Sequence, residues 1–303
     1  MNKGITTIIP GEVSTGRLHG FLVSSVAPRP IAFASTIDKA GNVNLSPFSF
    51  FNVFGANPPI MIFSPARRVR NNTTKHTLEN IKEVAEVVIN IVNYPIVEQM
   101  SLSSTEYDKG VNEFMKAGLT EVASEKVGPP RVGEAPVAME CVVEQVIETG
   151  KEGGAGNLVI ARVVAMHIRN EYLNEQGTLD THKLDLVARM GESWYCRASG
   201  DALFEIPKPL QTLGIGVDQL PESVRNSSIL TGNNLGRLGN IEQLPDDATV
   251  KAFVNTDPEM QKLLVAKAGS PTDLEEALHR YAQTLLAADK VEEALMVLLW
   301  KEV

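Results

Sequence analysis

Strand-like segments follow one another at short spacing through the first two-thirds of the chain, and this pattern constrains the fold more than any other feature. Residues 31–37 (IAFASTI) are separated from residues 42–45 (NVNL) by the turn sequence DKAG, which suits a bulged hairpin. Residues 137–148 and 158–173 alternate apolar and polar side chains on either side of the glycine-rich stretch GKEGGAGN. The sequence therefore predicts two antiparallel hairpins, with GGAG inside the turn of the second.

Two further apolar segments, residues 58–65 (PPIMIFSP) and 85–92 (AEVVINIV), have the length and composition of buried strands. Between them, the apolar spacing of residues 77–84 (TLENIKEV) predicts a short helix. Strands at such short spacing, without regular helices between them, favour a closed antiparallel barrel over a parallel sheet. We therefore predict a mainly β fold with peripheral helices.

The pattern changes near residue 210. The segments DPEMQKLLVAKA, SPTDLEEALHRYAQTLLAA and DKVEEALMVLLWKEV have helical periodicity, and Ser270 followed by Pro271 is typical of a helix start. We therefore expect a β-rich domain over residues 1–210, and a linker with an α-helical C-terminal extension over residues 211–303.

Charge, hydropathy and cysteine usage exclude several classes of protein. The net charge of −9, without a basic stripe containing aromatic residues, argues against a nucleic-acid partner. There is no apolar run of about 18 residues and no signal-peptide pattern, so we expect a cytoplasmic protein without a membrane segment. Cys141 and Cys196 form neither a Cys-x-x-Cys pair nor a cluster with histidine, which argues against a disulfide framework and a metal site.

One part of this acidic chain has the opposite charge. No acidic residue occurs between Asp38 and Glu79, and the same window contains basic residues, namely Lys39, Arg67, Arg68, Arg70 and Lys75. A locally positive surface on an acidic protein indicates a small anion as ligand. Lys75 and Thr77 lie where the predicted helix begins, and the free N–H groups of a helix N-terminus bind phosphate well. The alternative is that Thr77 is an ordinary N-cap.

Common catalytic and phosphate-binding motifs are absent from the sequence. There is no G-x-x-x-x-G-K-[ST] loop, no G-x-G-x-x-G after a strand and no G-x-S-x-G. The five histidines have no metal-ligand spacing, and His167 in an alternating strand is more typical of a structural histidine. No side chain is predicted to be catalytic, so any chemistry would come from a cofactor.

The hairpin around DKAG carries polar groups that suit a flavin. The isoalloxazine ring has apolar faces and a polar edge that needs uncharged donors and acceptors. Small hydroxyl and amide side chains follow one another here, namely Ser35, Thr36, Asn44, Ser46 and Ser49. Pro47, Phe48 and Phe50 could contact the ring faces. An ordinary polar hairpin edge explains the same residues equally well.

Four segments in this order and spacing resemble the flavin reductase-like family of FMN-binding split barrels, namely PRPIAFASTIDKAGNVNLSPFSFF, NPPIMIFSPARR, KHTLENI and VVINIV. A fifth segment, ARMGESWYCR leading into LFEIPKP, resembles the region that closes the barrel domain in the flavoredoxin-like branch. The resemblance covers roughly residues 15 to 210 and implies a six-stranded Greek-key split barrel. It also implies a homodimer with FMN at its interface.

The resemblance also implies which residues bind the cofactor. The flavin ring and ribityl chain would be held, largely by main-chain groups, at Ser35, Thr36, Asn44, Ser46, Pro47 and Ser49. The phosphate would be held by Lys75 and Thr77 with one arginine, Arg67 or one of its neighbours Arg68 and Arg70. Arg189 and Tyr195 would line the pocket.

The implied activity is an NAD(P)H-dependent oxidoreductase that passes electrons from FMN to a flavin, a metal complex or a protein. Short-chain flavin reductases of this family typically carry Gly-Asp-His before the late strand, where this chain has Gly156 and Asn157. That histidine is associated with the nicotinamide substrate. Two alternatives therefore stay open: an FMN-binding electron carrier without NAD(P)H activity, and a split-barrel scaffold without flavin.

Overall fold

The computed structural model describes residues 4–206, 213–266 and 270–301. The chain divides into two compact units, Met1–Phe204 and Glu205–Val303. The boundary expected at residue 210 lies outside the described residues. Within the described ranges, no helix is long and apolar enough to cross a membrane.

The N-terminal unit is built mainly from strands. Its α-helices and strands are, in chain order, α1 (Thr15–Ser25), β1 (Ala32–Ile37), β2 (Val43–Phe48), β3 (Phe51–Ala56), β4 (Pro59–Phe63), α2 (His76–Glu83), β5 (Glu86–Ile91), α3 (Val97–Leu102), α4 (Glu113–Ala117), β6 (Glu121–Val122), β7 (Arg131–Val132), β8 (Val137–Glu148), β9 (Asn157–Ile168), α5 (Thr181–Leu184), β10 (Leu186–Arg189) and β11 (Tyr195–Ala198).

Seven strands form one antiparallel sheet in the order β2-β1-β5-β8-β9-β4-β3. Strands β2 and β3 form the two edges of this sheet, yet only Ser49 and Phe50 separate them along the chain. Two linking residues span at most about 11 Å between flanking Cα atoms, whereas a flat sheet of this size would be roughly 29 Å wide. The sheet must therefore curl until its two edges meet at one end, which gives a barrel that is open along one side.

Both predicted hairpins are present, as β1 with β2 and as β8 with β9. The sheet has seven strands where six were expected, because Phe51–Ala56 forms β3 and pairs with β4. A register shift between Val53 and Gly55 breaks the alternation that a sequence pattern depends on. Gly55 is needed at this bulge, since a Cβ atom there would lie 2.9 Å from the Pro58 carbonyl oxygen.

The alternation of β1 divides its side chains between two hydrophobic clusters. Ala32 and Ala34 belong to one cluster with Cys141, whereas Phe33 belongs to another with Phe114 of α4. Phe33 is fully buried. Burying such a side chain stabilises the folded state by about 1.5 to 3 kcal/mol relative to leaving it exposed. The hairpin that carries the predicted site residues is therefore anchored on both faces.

The two cysteines are free thiols. Cys141 is completely buried, and this burial raises the pKa of its thiol to about 12. A thiol in that state is not a nucleophile near neutral pH.

The C-terminal unit is helical, as expected from its periodicity. Its α-helices in the described residues are α6 (Glu222–Arg225), α7 (Gly232–Leu238), α8 (Asp247–Thr256), α9 (Pro258–Ala266), α10 (Pro271–Ala287) and α11 (Val291–Leu299). They enclose a separate core that includes Leu238, Met260, Leu286 and Leu295. Ser270 occupies the N-cap position of α10, but its side chain makes no capping hydrogen bond.

Candidate cofactor-binding site

Helix α2 begins one residue earlier than the sequence indicates. Lys75 occupies the N-cap position with extended backbone angles, and no side chain caps the helix. Thr77 is therefore not the N-cap but lies inside the first turn, where it is only 1% exposed. Because the first N–H groups of a helix have no acceptor within it, this end of α2 can bind an anion.

A pocket at this end of α2 brings together residues from β2, the loop before α2, and the segment between α3 and α4. Its lining consists of Asn44, Ser46, Arg68, Lys75, His76, Thr77, Ser103, Ser104, Thr105, Glu106, Tyr107 and Glu113. Of the predicted site residues, Asn44, Ser46, Lys75 and Thr77 thus lie in one place. Hydroxyl, amide and ammonium groups predominate, which suits a phosphorylated ligand.

Two hydrogen bonds fix α2 to the first hairpin. The Asn44 Nδ2 donates to the Thr77 Oγ1 at 2.9 Å, and the Asn80 Nδ2 donates to the Thr36 Oγ1 at 3.2 Å. Because the Thr77 oxygen accepts from Asn44, its own hydroxyl hydrogen is available to a ligand. Thr36 is fully buried and supports the helix from below the pocket.

Lys75 and Arg68 supply the positive charge. Burial lowers the pKa of Lys75, and the neighbouring Arg68 lowers it further. The Arg68 guanidinium donates from Nη1 to the Thr73 Oγ1 at 3.0 Å and to the Thr74 carbonyl oxygen at 2.5 Å. These bonds hold the arginine beside Lys75, with its side chain 16% exposed.

The other two arginines of the basic window are placed differently. Arg67 donates to Asn72 through Nε at 2.6 Å and Nη2 at 2.5 Å, and it does not line the pocket. Arg70 extends into solvent with its side chain 79% exposed. Of the three, Arg68 is the arginine that lines the pocket with Lys75.

Two glutamates that sequence reasoning missed also line the pocket. The Glu106 Oε1 accepts from the Arg68 Nε at 3.0 Å, and this hydrogen bond is the main reason that the pKa of Glu106 is lowered. The Glu113 Oε2 accepts from the Leu45 N–H at 2.9 Å, which fastens α4 to β2, and burial raises the pKa of Glu113. The sequence around Glu106 and Glu113 does not indicate that they belong to this site, because they lie far along the chain from the basic window.

Ser35, Pro47 and Ser49 do not line this pocket. Ser35 lies in β1 between β2 and β5, is fully buried, and its hydroxyl has no hydrogen-bond partner among the described residues. The Ser49 Oγ accepts from the Nε of Arg29, at 3.4 Å. Arg29 is itself 7% exposed and donates to the carbonyl oxygens of Val26 and Met190.

Arg189 and Tyr195 lie on β10 and β11, which pair with each other. The Arg189 guanidinium stacks over the Tyr195 ring, 4.7 Å from its centroid. The backbone of Arg189 also pairs with that of Arg29. These two residues are thus tied to the start of the first hairpin but do not line the pocket at α2.

Comparison with known proteins gives consistent results for the N-terminal unit. Residues 23–184 match the flavin reductase like domain family. Nitrilotriacetate monooxygenase component B from Bacillus cereus is 31% identical, with a TM-score of 0.62 over 68% of this chain and 100% of that chain. Pseudomonas fluorescens 2-nitrobenzoate 2-nitroreductase is 28% identical, with a TM-score of 0.60 over 69% of this chain and 100% of that chain.

A third solved structure is a Shewanella frigidimarina protein with a split barrel domain. It is 29% identical, with a TM-score of 0.55 over 65% of this chain and 95% of that chain. The expected split-barrel fold is therefore confirmed, in agreement with the curled sheet.

Proposed function

Because the chain belongs to the flavin reductase-like family, we propose that its N-terminal unit is an oxidoreductase whose FMN accepts a hydride from NAD(P)H. The electrons then pass to a second flavin, a metal complex or a protein. Family membership supports the flavin-related oxidoreductase role. The choice of FMN, of the nicotinamide donor and of the acceptor is our proposal.

The observation that carries the proposal is the uncapped N-terminus of α2 beside Lys75 and Arg68. A phosphate monoester carries a charge of about −1.5 to −2 at neutral pH. The helix dipole, the ammonium group and the guanidinium group all stabilise such an anion. FMN suits these groups because it ends in a phosphate monoester, which all three can contact.

Five of the residues that line the pocket then have a defined task. Lys75 and Arg68 neutralise the phosphate, and Thr77 donates its free hydroxyl hydrogen to it. Asn44 and Ser46 bind the ribityl chain. Pro47 near the end of β2 and Ser49 just after it continue towards the ring. The outer edge of β2 pairs with no other strand in the described part of the chain, so its carbonyl groups are available to bind, whereas the Leu45 N–H already donates to Glu113.

Bound FMN would supply the redox chemistry through its ring. The protein residues orient the cofactor and exclude water, and no side-chain acid or base is required. Ser35 and Thr36 support the site from within the sheet, and Arg189 with Tyr195 bounds it on the side of Arg29.

We propose further that the unit forms a homodimer. Edge strand β3 exposes Val53 (62%) and Phe54 (64%), and Phe50 beside it is 39% exposed. An edge strand with exposed apolar side chains is a typical pairing surface. A second copy would cover these side chains and complete the flavin site.

Anaerobic titration of the FMN-loaded protein with NADH and NADPH tests the activity. We expect loss of the oxidised-flavin absorbance with at least one donor. A protein that shows no saturable quenching of FMN fluorescence would overturn the cofactor assignment, whereas a protein that binds FMN that neither donor reduces would overturn only the reductase activity.

A second candidate function is an FMN-binding electron carrier without NAD(P)H activity, and Asn157 favours it. Its Nδ2 donates to the Pro65 carbonyl oxygen at 2.8 Å and its side chain is buried, so it does not replace the family histidine. His167, which lies towards the other end of β9, is hydrogen-bonded to the buried Glu140 at 2.7 Å and so does not replace the family histidine either. The same titration decides between reductase and carrier.

A further inference from the structure

Glu106 is the carboxylate that faces the proposed phosphate-binding cations. Its Oε1 accepts from the Arg68 Nε at 3.0 Å, and its Oε2 accepts from an Nη of Arg70 at 3.1 Å. Lys75 lies close enough for the two side chains to influence each other's charge. Glu106 thus makes to Arg68 the type of contact that a ligand phosphate would make.

The Arg68 guanidinium has one nitrogen, Nη2, without a hydrogen-bond partner among the described residues. Its Nη1 is committed to Thr73 and Thr74 of the loop before α2, and its Nε is committed to Glu106. A phosphate that approaches Lys75 must either share this guanidinium with a carboxylate of like charge or displace that carboxylate. The Glu106 side chain is 48% exposed, so it is free to move into solvent.

We propose that Glu106 competes with the phosphate of FMN for Arg68 and thereby keeps the cofactor exchangeable. This inference rests on the proposed function, since it concerns the same pocket. It predicts that FMN binds and leaves on the timescale of a substrate instead of remaining as a prosthetic group. Riboflavin lacks the phosphate, so its binding is independent of Glu106.

The test is Glu106→Gln in the full chain, with the dissociation constants of FMN and riboflavin measured by flavin fluorescence quenching. We expect FMN to bind about tenfold more tightly and to dissociate more slowly, because one competing charge is removed. Riboflavin affinity should stay within twofold. Glu98→Gln is the matched control, because it removes the same charge from an exposed position on α3 outside the pocket.

A double-mutant cycle makes the test specific. In an Arg68→Gln background the shared cation is gone, so Glu106→Gln should raise FMN affinity much less than it does in the wild type, because only its effect on Lys75 remains. Equal FMN affinity of the wild type and Glu106→Gln, or an equal gain for riboflavin, would overturn the inference while leaving the proposed function standing. If neither the wild type nor the variant bound FMN, the proposed function itself would fail, and the inference with it.

Discussion

Replacing Thr77 with valine should weaken FMN binding without disturbing the shape of the site. The two side chains have nearly the same volume, and Thr77 is only 1% exposed. The substitution removes the hydroxyl that accepts from the Asn44 Nδ2 at 2.9 Å and that we propose donates to the phosphate. Binding and stability are therefore affected through two different hydrogen bonds.

The lost donor decides the effect on binding. A hydrogen bond to a charged group contributes about 1 to 3 kcal/mol, so the dissociation constant of FMN should rise about five- to 150-fold. The lost acceptor affects folding, since it leaves the mostly buried Asn44 amide unpaired. That costs about 1 kcal/mol and lowers the melting temperature by a few degrees in a domain of this size.

Isothermal titration with FMN and riboflavin measures the binding effect, and circular dichroism melting measures the folding effect. Thr77→Ser is the control, because it retains the hydroxyl and should bind FMN within about threefold of the wild type. An FMN affinity within twofold of the wild type for a folded Thr77→Val protein would refute a phosphate at this end of α2. A loss of affinity in the serine variant but not in the valine variant would show that the methyl group, not the hydroxyl, matters.

Two further predictions follow from shifted pKa values. Because burial and then Arg68 lower the pKa of Lys75, FMN affinity should fall with rising pH before an ordinary lysine deprotonates, and Lys75→Arg should stay flat in titrations from pH 7 to 10. Burial of Glu140 opposes its ionisation, but two backbone N–H bonds and His167 outweigh it and lower its pKa. Its contribution to stability is therefore complete above the unfolded pKa of about 4.3 and is lost as the pH falls through the folded value. Urea unfolding should show Glu140→Gln less stable by about 2 kcal/mol at pH 7 and less sensitive to acid, and an unchanged acid profile would contradict this.

The elements that the sequence predicts well are those specified locally. The first hairpin has turn residues at fixed positions, and β8 and β9 are long segments on either side of a glycine-rich turn, although burial alternates only at the start of β9. Strand β3 was missed because its bulge at Gly55 interrupts the alternation. A barrel was expected from the strand spacing and the family resemblance, but the sequence patterns did not show that β2 and β3 are opposite edges, because strand order is not a property of any one segment.

The proposed phosphate site divides in the same way. Lys75 and Thr77 are close in sequence, and the helix that carries them fixes their relation, so residue type and spacing were enough to place them. The sequence did not show which of the three neighbouring arginines lines the pocket, because this depends on the hydrogen bonds that each side chain makes with the loop before α2. Arg67 donates a hydrogen bond to Asn72, whereas Arg68 donates to the Thr74 carbonyl oxygen and lies next to Lys75.

The acid-free window from Asp38 to Glu79 shows why a charge pattern along the chain does not fix the charge of a pocket. The window correctly located the basic side chains, but the segment between α3 and α4 brings Glu106 against Arg68 from 38 positions away. A dianionic phosphate therefore meets two cations that are already partly neutralised. If the window alone determined the field, FMN would be held more tightly than in the exchangeable binding that we propose. In that proposal, the carboxylate supplied by a distant segment sets the affinity without a change in any residue that binds the phosphate.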